Sequence, residues 1–197
     1  MTDSGITFTV DATQPSHQRL KVEIQIKAPF LKPKLKLSFP RWVPGSYFLR
    51  EPIQHVTALS VTDDSRSDLH YSRNDVDSII ISNVQSIKHV TVKYELLAVD
   101  LSVRSNHFDH THLHMMPPFT WFLPTSGIES ERMNLQHSVQ FKLPKSWTVT
   151  TQLNPVGTEE NNDMNVHTYS AENRDDLLDG IRGNGGSPIR YDDRSTT

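Results

Sequence analysis

The chain has 197 residues, a length that suits one large β domain or two small ones and is enough to bury a core. It carries 20 lysines and arginines against 23 aspartates and glutamates, a formal net charge of -3. These charges are scattered singly, so no basic stripe is suited to a phosphate backbone, and no nucleic-acid partner is expected. There is no cysteine, which excludes disulfides, thiolate metal sites and cysteine nucleophiles.

The first residues, MTDSGITFTV, have neither the positive start nor the apolar stretch of a secretory signal. No apolar run is long enough for a membrane-spanning helix, so a cytoplasmic protein with no membrane partner is expected. From there the dominant period is two. Ile6, Phe8 and Val10 alternate with polar residues; so do Leu20, Val22, Ile24 and Ile26, then Leu35, Leu37 and Phe39. SIIISNV, around Ile80, is apolar on both faces and reads as a central strand. Val90, Val92, Tyr94 and Leu96 follow, then Val139, Phe141 and Leu143, and finally Trp147, Val149, Thr151 and Leu153. The segments DATQPS, APFLKPK, TDDSRSD and NPVGTEENND read as turns between these runs. Only RDDLLDG, near residue 178, suits a turn of helix. Apolar residues make up 35% of the chain, which predicts a thin core. The expected fold is therefore all-β, a multi-stranded β-sandwich over residues 1–179. Residues 180–197 hold four of the eight glycines and read as a flexible, Gly-rich tail.

The segment Phe39–Pro52, FPRWVPGSYFLREP, is the most distinctive. Pro40, Pro44 and Pro52 fix the backbone and interrupt sheet pairing. Gly45 permits a tight turn, around which stand Trp42, Tyr47 and Phe48, with Arg41, Arg50 and Glu51 adding charge. Taken alone, Trp42 and Phe48 read as plugs of a structural corner. Rigid loops carried on sheets are also where binding residues collect. Ser46 lies in Pro-Gly-Ser-Tyr, which is not a nucleophile elbow, and has no evident base. Asp175, Asp176 and Asp179 read as a solvated turn rather than as catalytic carboxylates.

A second conspicuous segment is HFDHTHLHMM, from His107 to Met116. Read as one extended strand, it points His110, His112 and His114 to one face, a zinc-like arrangement with Asp109 or His107 as further ligands. Nothing in the segment supplies the glutamate of a hydrolytic centre, so a histidine-rich polar face is the favoured reading and no metal is expected.

Four stretches carry a resemblance to the glycyl aminopeptidase family of zinc metallopeptidases (peptidase family sixty-one), in the family's order. PRWVPGSYFLRE resembles its early Pro-Trp-x-Pro-Gly-Ser-Tyr signature with a following arginine. VKYELLAVDLSVRSNHFD, residues 92–109, is similar to its strand leading into a Ser-Val-Arg turn. FKLPKSWTVTTQL, residues 141–153, resembles its Leu-Pro, Trp, Thr-x-Leu hairpin, and YSAENRDDLLDG, residues 169–180, the segment leading into its catalytic domain. The resemblance spans roughly residues 5–180. It implies a β-sandwich like the N-terminal domain of zinc aminopeptidases, attached in the family to a thermolysin-like helical domain with His-Glu-x-x-His. None of the ten histidines here belongs to such a motif.

The resemblance thus implies a non-catalytic substrate-side or scaffolding domain, a fragment or truncated protein, with no catalytic residue of its own. Zinc is expected only in the catalytic domain that would be its partner. The candidate substrate-binding residues are Tyr47, Arg50, Glu51, Arg104 and Asn106, which would hold a peptide N-terminus at a cleft edge by charge-assisted hydrogen bonds. On this reading Trp42 is mostly buried. The alternative is an independent β-sandwich module binding peptide or carbohydrate, with Trp42, Tyr47 and Phe48 exposed as a platform.

Overall fold

The computed structural model describes residues 6–42, 48–102, 105–161 and 163–179. Thirteen strands are present among them: β1 (Ile6–Asp11), β2 (Arg19–Lys27), β3 (Lys34–Ser38), β4 (Val56–Thr62), β5 (Tyr71–Asp75), β6 (Ser78–Ser82), β7 (His89–Leu97), β8 (His107–Phe108), β9 (Leu113–His114), β10 (Leu123–Ser126), β11 (His137–Pro144), β12 (Asn154–Glu160) and β13 (Met164–Ala171). One short helix, α1 (Arg174–Asp179), follows. The fold is all-β, and no described helix is long and apolar enough to cross a membrane. The expected tail at 180–197 lies outside the described residues.

The strands form three sheets. One has seven strands in the order β12-β13-β11-β1-β2-β7-β4, a second has four in the order β10-β3-β6-β5, and β8 and β9 make a two-stranded ribbon. Every pairing is antiparallel except β1 with β11, where Phe8 lies opposite Val139. The longest ladder joins β2 to β7, with Leu20, Val22, Ile24 and Ile26 opposite Leu96, Tyr94, Val92 and Val90. All eight side chains are buried, and apart from the buried Thr91 of β7 the residues between them face outward, as a period of two demands. SIIIS of β6 is an interior strand of the second sheet, as expected from its continuous apolar run.

Both sheets contribute to one hydrophobic core. Between them runs an irregular segment, Pro117–Leu123, whose residues are all buried. Its rings meet the sheets: Phe122 lies 4.1 Å from Phe39 and 5.3 Å from Tyr94, and Trp121 lies 5.2 Å from Phe8. A buried irregular backbone must find partners for its N–H and C=O groups. Tyr94 supplies two, donating its hydroxyl to the Thr120 carbonyl at 2.6 Å and accepting from the Phe122 N–H at 3.3 Å. Burial pushes the Tyr94 phenol well above its ordinary range, so it remains protonated and able to donate.

Two expectations fail. NPVGTEE is not a turn but β12, an edge strand exposed along its whole length. The alternation from Trp147 to Leu153 is not a strand. Trp147 is buried, and Val149 and Leu153 pack on the core from irregular chain.

Candidate functional site

The chain leaves β3 through Phe39 and Pro40 into the proline-rich loop. Arg41 ties the start of that loop to the β5–β6 hairpin. Its Nε donates to Asp77 Oδ2 at 2.6 Å, one Nη to Asp77 Oδ1 at 3.1 Å, and the same Nη lies 2.5 Å from Asp75 Oδ2. This fork grips one carboxylate with two parallel bonds, which fixes direction as well as distance. Hydrogen bonds from the guanidinium to Asp77 and then Asp75 hold Arg41 above its usual range. The backbone closes the loop on itself, since the Arg50 N–H donates to the Arg41 carbonyl at 3.2 Å. The sequence marks Arg41 as a charge near the loop; its partners come from the hairpin thirty-odd residues away and carry no local signal.

Trp42 and Phe48 do not plug the sandwich. Trp42 is 58% exposed, Phe48 65% and Leu49 67%. The corner is filled instead by Phe39 and Phe122, buried and 4.1 Å apart. The Arg50 guanidinium lies 5.7 Å from the Phe48 ring centroid, within reach of a cation–π contact.

Beyond the loop a 3₁₀ turn, Pro52–His55, leads into β4. Between this turn and the segment after β7 lies an open cleft of about 590 Å³. Its lining includes Arg50, Glu51 and His55 from around the turn, Leu97, Val99, Asp100 and Leu101 from the end of β7 and the chain after it, and the buried Asn106 and Phe119. Three of the five candidate residues, Arg50, Glu51 and Asn106, are thus brought together from segments fifty residues apart. Tyr47 and Arg104 lie outside the described residues. Leu97, Val99 and Leu101 give the cleft an exposed apolar wall, with Leu101 at 68% exposure.

Asn106 differs from the other two in being buried and fully engaged. Its Nδ2 donates to the Phe119 carbonyl at 3.3 Å, and its Oδ1 accepts from the Met116 N–H at 2.8 Å and from the Thr120 hydroxyl at 3.1 Å. It therefore pins the start of the buried 117–123 segment beneath the cleft.

The histidine-rich segment is not one strand. Leu113–His114 turns back on His107–Phe108, pairing His107 with His114 and Phe108 with Leu113. The Asp109 N–H donates to the His112 carbonyl at 3.1 Å, so His110 and Thr111 occupy the turn. His110, His112 and His114 are therefore not gathered on a common strand face. The group that does assemble is His107, Asp109 and His112, whose donor atoms all lie within 4.8 Å of one another. Thr111 N–H, Thr111 hydroxyl and His112 N–H all donate to Asp109 Oδ1, at 2.7, 2.6 and 3.0 Å. Burial works to raise the Asp109 carboxyl, but these donors, with His107, outweigh it and hold it well below the usual carboxylate range. Burial, and then the charges of His112 and His107, pushes His114 down.

The catalytic zinc implied by the resemblance would require His-Glu-x-x-His on a helix. The sequence has no such motif, and α1 is six residues long without a histidine. The residues present do not fit that centre, and no hydrolytic step is assigned to them.

Comparison with known proteins bears on the fold and the family. Among solved structures, an aminopeptidase N family protein from Idiomarina loihiensis superposes with a TM-score of 0.74 at 21% identity, over 88% of this chain and 28% of its own. A two-domain M1 zinc metallopeptidase bound to L-tryptophan superposes with a TM-score of 0.50 at 11% identity, over 84% of this chain and 38% of its own. At these identities the likeness shows a shared fold, and the chain spans well under half the length of either protein. No curated protein matches the sequence. The profile of the peptidase M61 N-terminal domain matches residues 7–180, nearly the whole chain, and on that match the chain belongs to the peptidase M61 N-terminal domain family.

Proposed function

We propose that this domain is the non-catalytic, substrate-side wall of an M61-type metallopeptidase, docking beside a catalytic domain and closing one end of its peptide site. The observation that carries the reading is the cleft. Arg50 and Glu51 line it together with Leu97, Val99 and Leu101, which are exposed apolar side chains. A carboxylate such as Glu51 suits a peptide's free α-amino group, and an arginine suits a carbonyl or carboxylate oxygen, through charge-assisted bonds. An apolar wall beside a few convergent polar groups is the usual composition of a small-ligand site. Tyr47 and Arg104 remain candidates for the same site by their places in the sequence. Asn106 supports it from below through the backbone rather than by touching a ligand.

The scaffold reading expects a buried Trp42, and in this chain Trp42 and Phe48 are exposed, so on that reading the rings are surface left for the catalytic domain to cover. Surfaces of this kind mark contact with a partner, and the family context supplies one, a metallopeptidase catalytic domain. The same exposure favours a second reading, in which these rings are the platform of an independent peptide- or carbohydrate-binding module. Two measurements separate the readings. The chain alone, with zinc and glycyl or alanyl substrates, should show no turnover; turnover would refute the scaffold reading. Adding an M61 catalytic domain in trans should reduce acrylamide quenching of Trp42. Quenching that is unchanged by that domain but falls on addition of a peptide or glycan would establish the binding module instead.

A further inference from the structure

We infer that the β8–β9 hairpin is a site for a borderline divalent transition metal of the zinc type, held by His107, Asp109 and His112, with His114 beside them. The argument starts from the hairpin. Its two-residue turn at His110 and Thr111 pairs residue 107 with 114 and residue 109 with 112. Side chains opposite one another on paired strands share a face, and alternate residues along a strand return to it. His107, Asp109, His112 and His114 therefore occupy one face, and Phe108 and Leu113, both fully buried, anchor the other face in the core.

The donor atoms already stand near one another: His107 Nε2 lies 3.2 Å from Asp109 Oδ2, and one donor atom from each of His107, Asp109 and His112 lies within 4.8 Å of the others. Ligands about 2.0–2.2 Å from a tetrahedral ion stand roughly 3.3–3.5 Å apart. The His107 and His112 rings lie side by side with centroids 4.9 Å apart and an interplanar angle of 35°. One ion between them would draw on both imidazoles and the carboxylate at once.

The supporting hydrogen bonds suit the same role. The Thr111 hydroxyl donates to Asp109 Oδ1, so at its 2.8 Å contact with His112 Nδ1 it is the acceptor. That assigns the proton of neutral His112 to Nδ1 and leaves Nε2 as a lone pair, the second-shell pattern that orients metal-bound histidines. His107 is 8% exposed, and its Nδ1 has no hydrogen-bond partner among the described residues; nor does the buried Nε2 of His114. Buried imidazoles left short of partners are costly in an ordinary polar face. Two imidazoles with one carboxylate favour zinc-like ions over calcium or magnesium, which take oxygen ligands.

The test uses the full chain, purified without a histidine tag and stripped with a chelator. Zn²⁺ is titrated against a chromophoric competitor, and Co²⁺ is added separately to read the coordination number from its visible bands. One equivalent of Zn²⁺ should bind, with no competition from Ca²⁺ or Mg²⁺. His112→Gln, on the half-exposed strand, should weaken binding by more than about tenfold, and Asp109→Asn similarly. His110→Gln, in the turn, should stay within about twofold of wild type. In wild type, NMR should show the His107 and His112 imidazole signals shifting on Zn²⁺ addition while those of His110 do not, a readout that needs no variant to fold. Failure to bind stoichiometric Zn²⁺, or an equal loss in His110→Gln and His112→Gln, would overturn the assignment.

Discussion

Replacing Asn106 by alanine tests whether the cleft floor is held by this one side chain. The substitution removes three hydrogen bonds: Nδ2 to the Phe119 carbonyl, Met116 N–H to Oδ1, and Thr120 Oγ1 to Oδ1. The Thr120 hydroxyl keeps a partner, because it also reaches the Met116 carbonyl at 2.8 Å. Two backbone groups, the Phe119 C=O and the Met116 N–H, are left without one. A buried polar group deprived of its partner costs about 1–3 kcal/mol, and Met116 is only part-buried, so a loss of about 2–4 kcal/mol is expected. That is a large share of the roughly 5–15 kcal/mol by which domains are stable. With a urea m-value of about 2 kcal/mol/M, the midpoint should fall by about 1–2 M. Asn106→Asp should not rescue it, since a carboxylate cannot donate to Phe119 and brings a charge into a buried site. An unfolding free energy for Asn106→Ala within about 0.5 kcal/mol of wild type would refute the claim that Asn106 is a structural hub.

Gly127 should tolerate no side chain. Its φ is +100°, and a Cβ there would lie 2.5 Å from the Lys34 carbonyl oxygen and 2.8 Å from the Leu35 Cα. Gly127→Ala should therefore destabilise by more than about 1 kcal/mol, where an unstrained glycine-to-alanine change would stabilise, and this is read as a lowered urea midpoint. Asp77→Asn removes the fork that grips Arg41. Hydrogen exchange at the Arg50 amide, which bonds the Arg41 carbonyl, should become severalfold faster, and a rate equal to wild type would mean that the fork does not hold the loop. His137 is fully buried, and burial lowers its pKa; the bond to the Met133 carbonyl works in the opposite sense, and the nearby charge of Arg132 adds to the lowering. Its folded pKa thus lies below the unfolded value of about 6.5. Its contribution is complete above that value and is lost as the pH falls below it, by up to about 1.4 kcal/mol per pH unit. Urea midpoints from pH 7.5 to 5.5 should fall more steeply for wild type than for His137→Gln, and parallel slopes would refute this.

How far the sequence discloses the fold depends on how one-sided each strand's burial is. β2 and β11 alternate buried and outward-facing residues along their length, so a period of two finds them. β12 has no buried side at all and carries a proline and a glycine, so its composition imitates a turn. β4 has its register shifted between Thr57 and Ser60, with Ala58 at a φ of 50°, which breaks the alternation. The site follows the same logic. Arg50 and Glu51 are legible because they adjoin the proline loop. The apolar wall, from Leu97 to Leu101, reaches them only through the β4–β7 pairing, which no local pattern encodes. The histidine segment gives the chemistry but not the grouping. HFDHTHLH reads as a single strand until the turn at His110 and Thr111 is known, and that turn replaces His110 with His107 and Asp109 as the neighbours of His112.

The cleft wall and the histidine hairpin are parts of one construction. Val99, in the wall, forms a lone bridge with His107, and the Phe108 N–H donates to the Ala98 carbonyl at 2.8 Å. Asn106, immediately before β8, fastens the same stretch to the buried 117–123 segment, which Tyr94 of β7 fastens in turn. The wall is thus held from behind by hydrogen bonds of fixed direction and not by apolar contact alone. Apolar packing permits sliding between alternatives of similar energy, whereas a fully satisfied polar network has few. On the proposed reading, in which Arg50 and Glu51 face a chemistry performed on another domain, that rigidity would matter, because a displacement of about 1 Å at a positioning group can cost about a hundredfold in rate. A metal at His107, Asp109 and His112 would tighten the hairpin at its turn and, through the bridge to Val99, stiffen that wall.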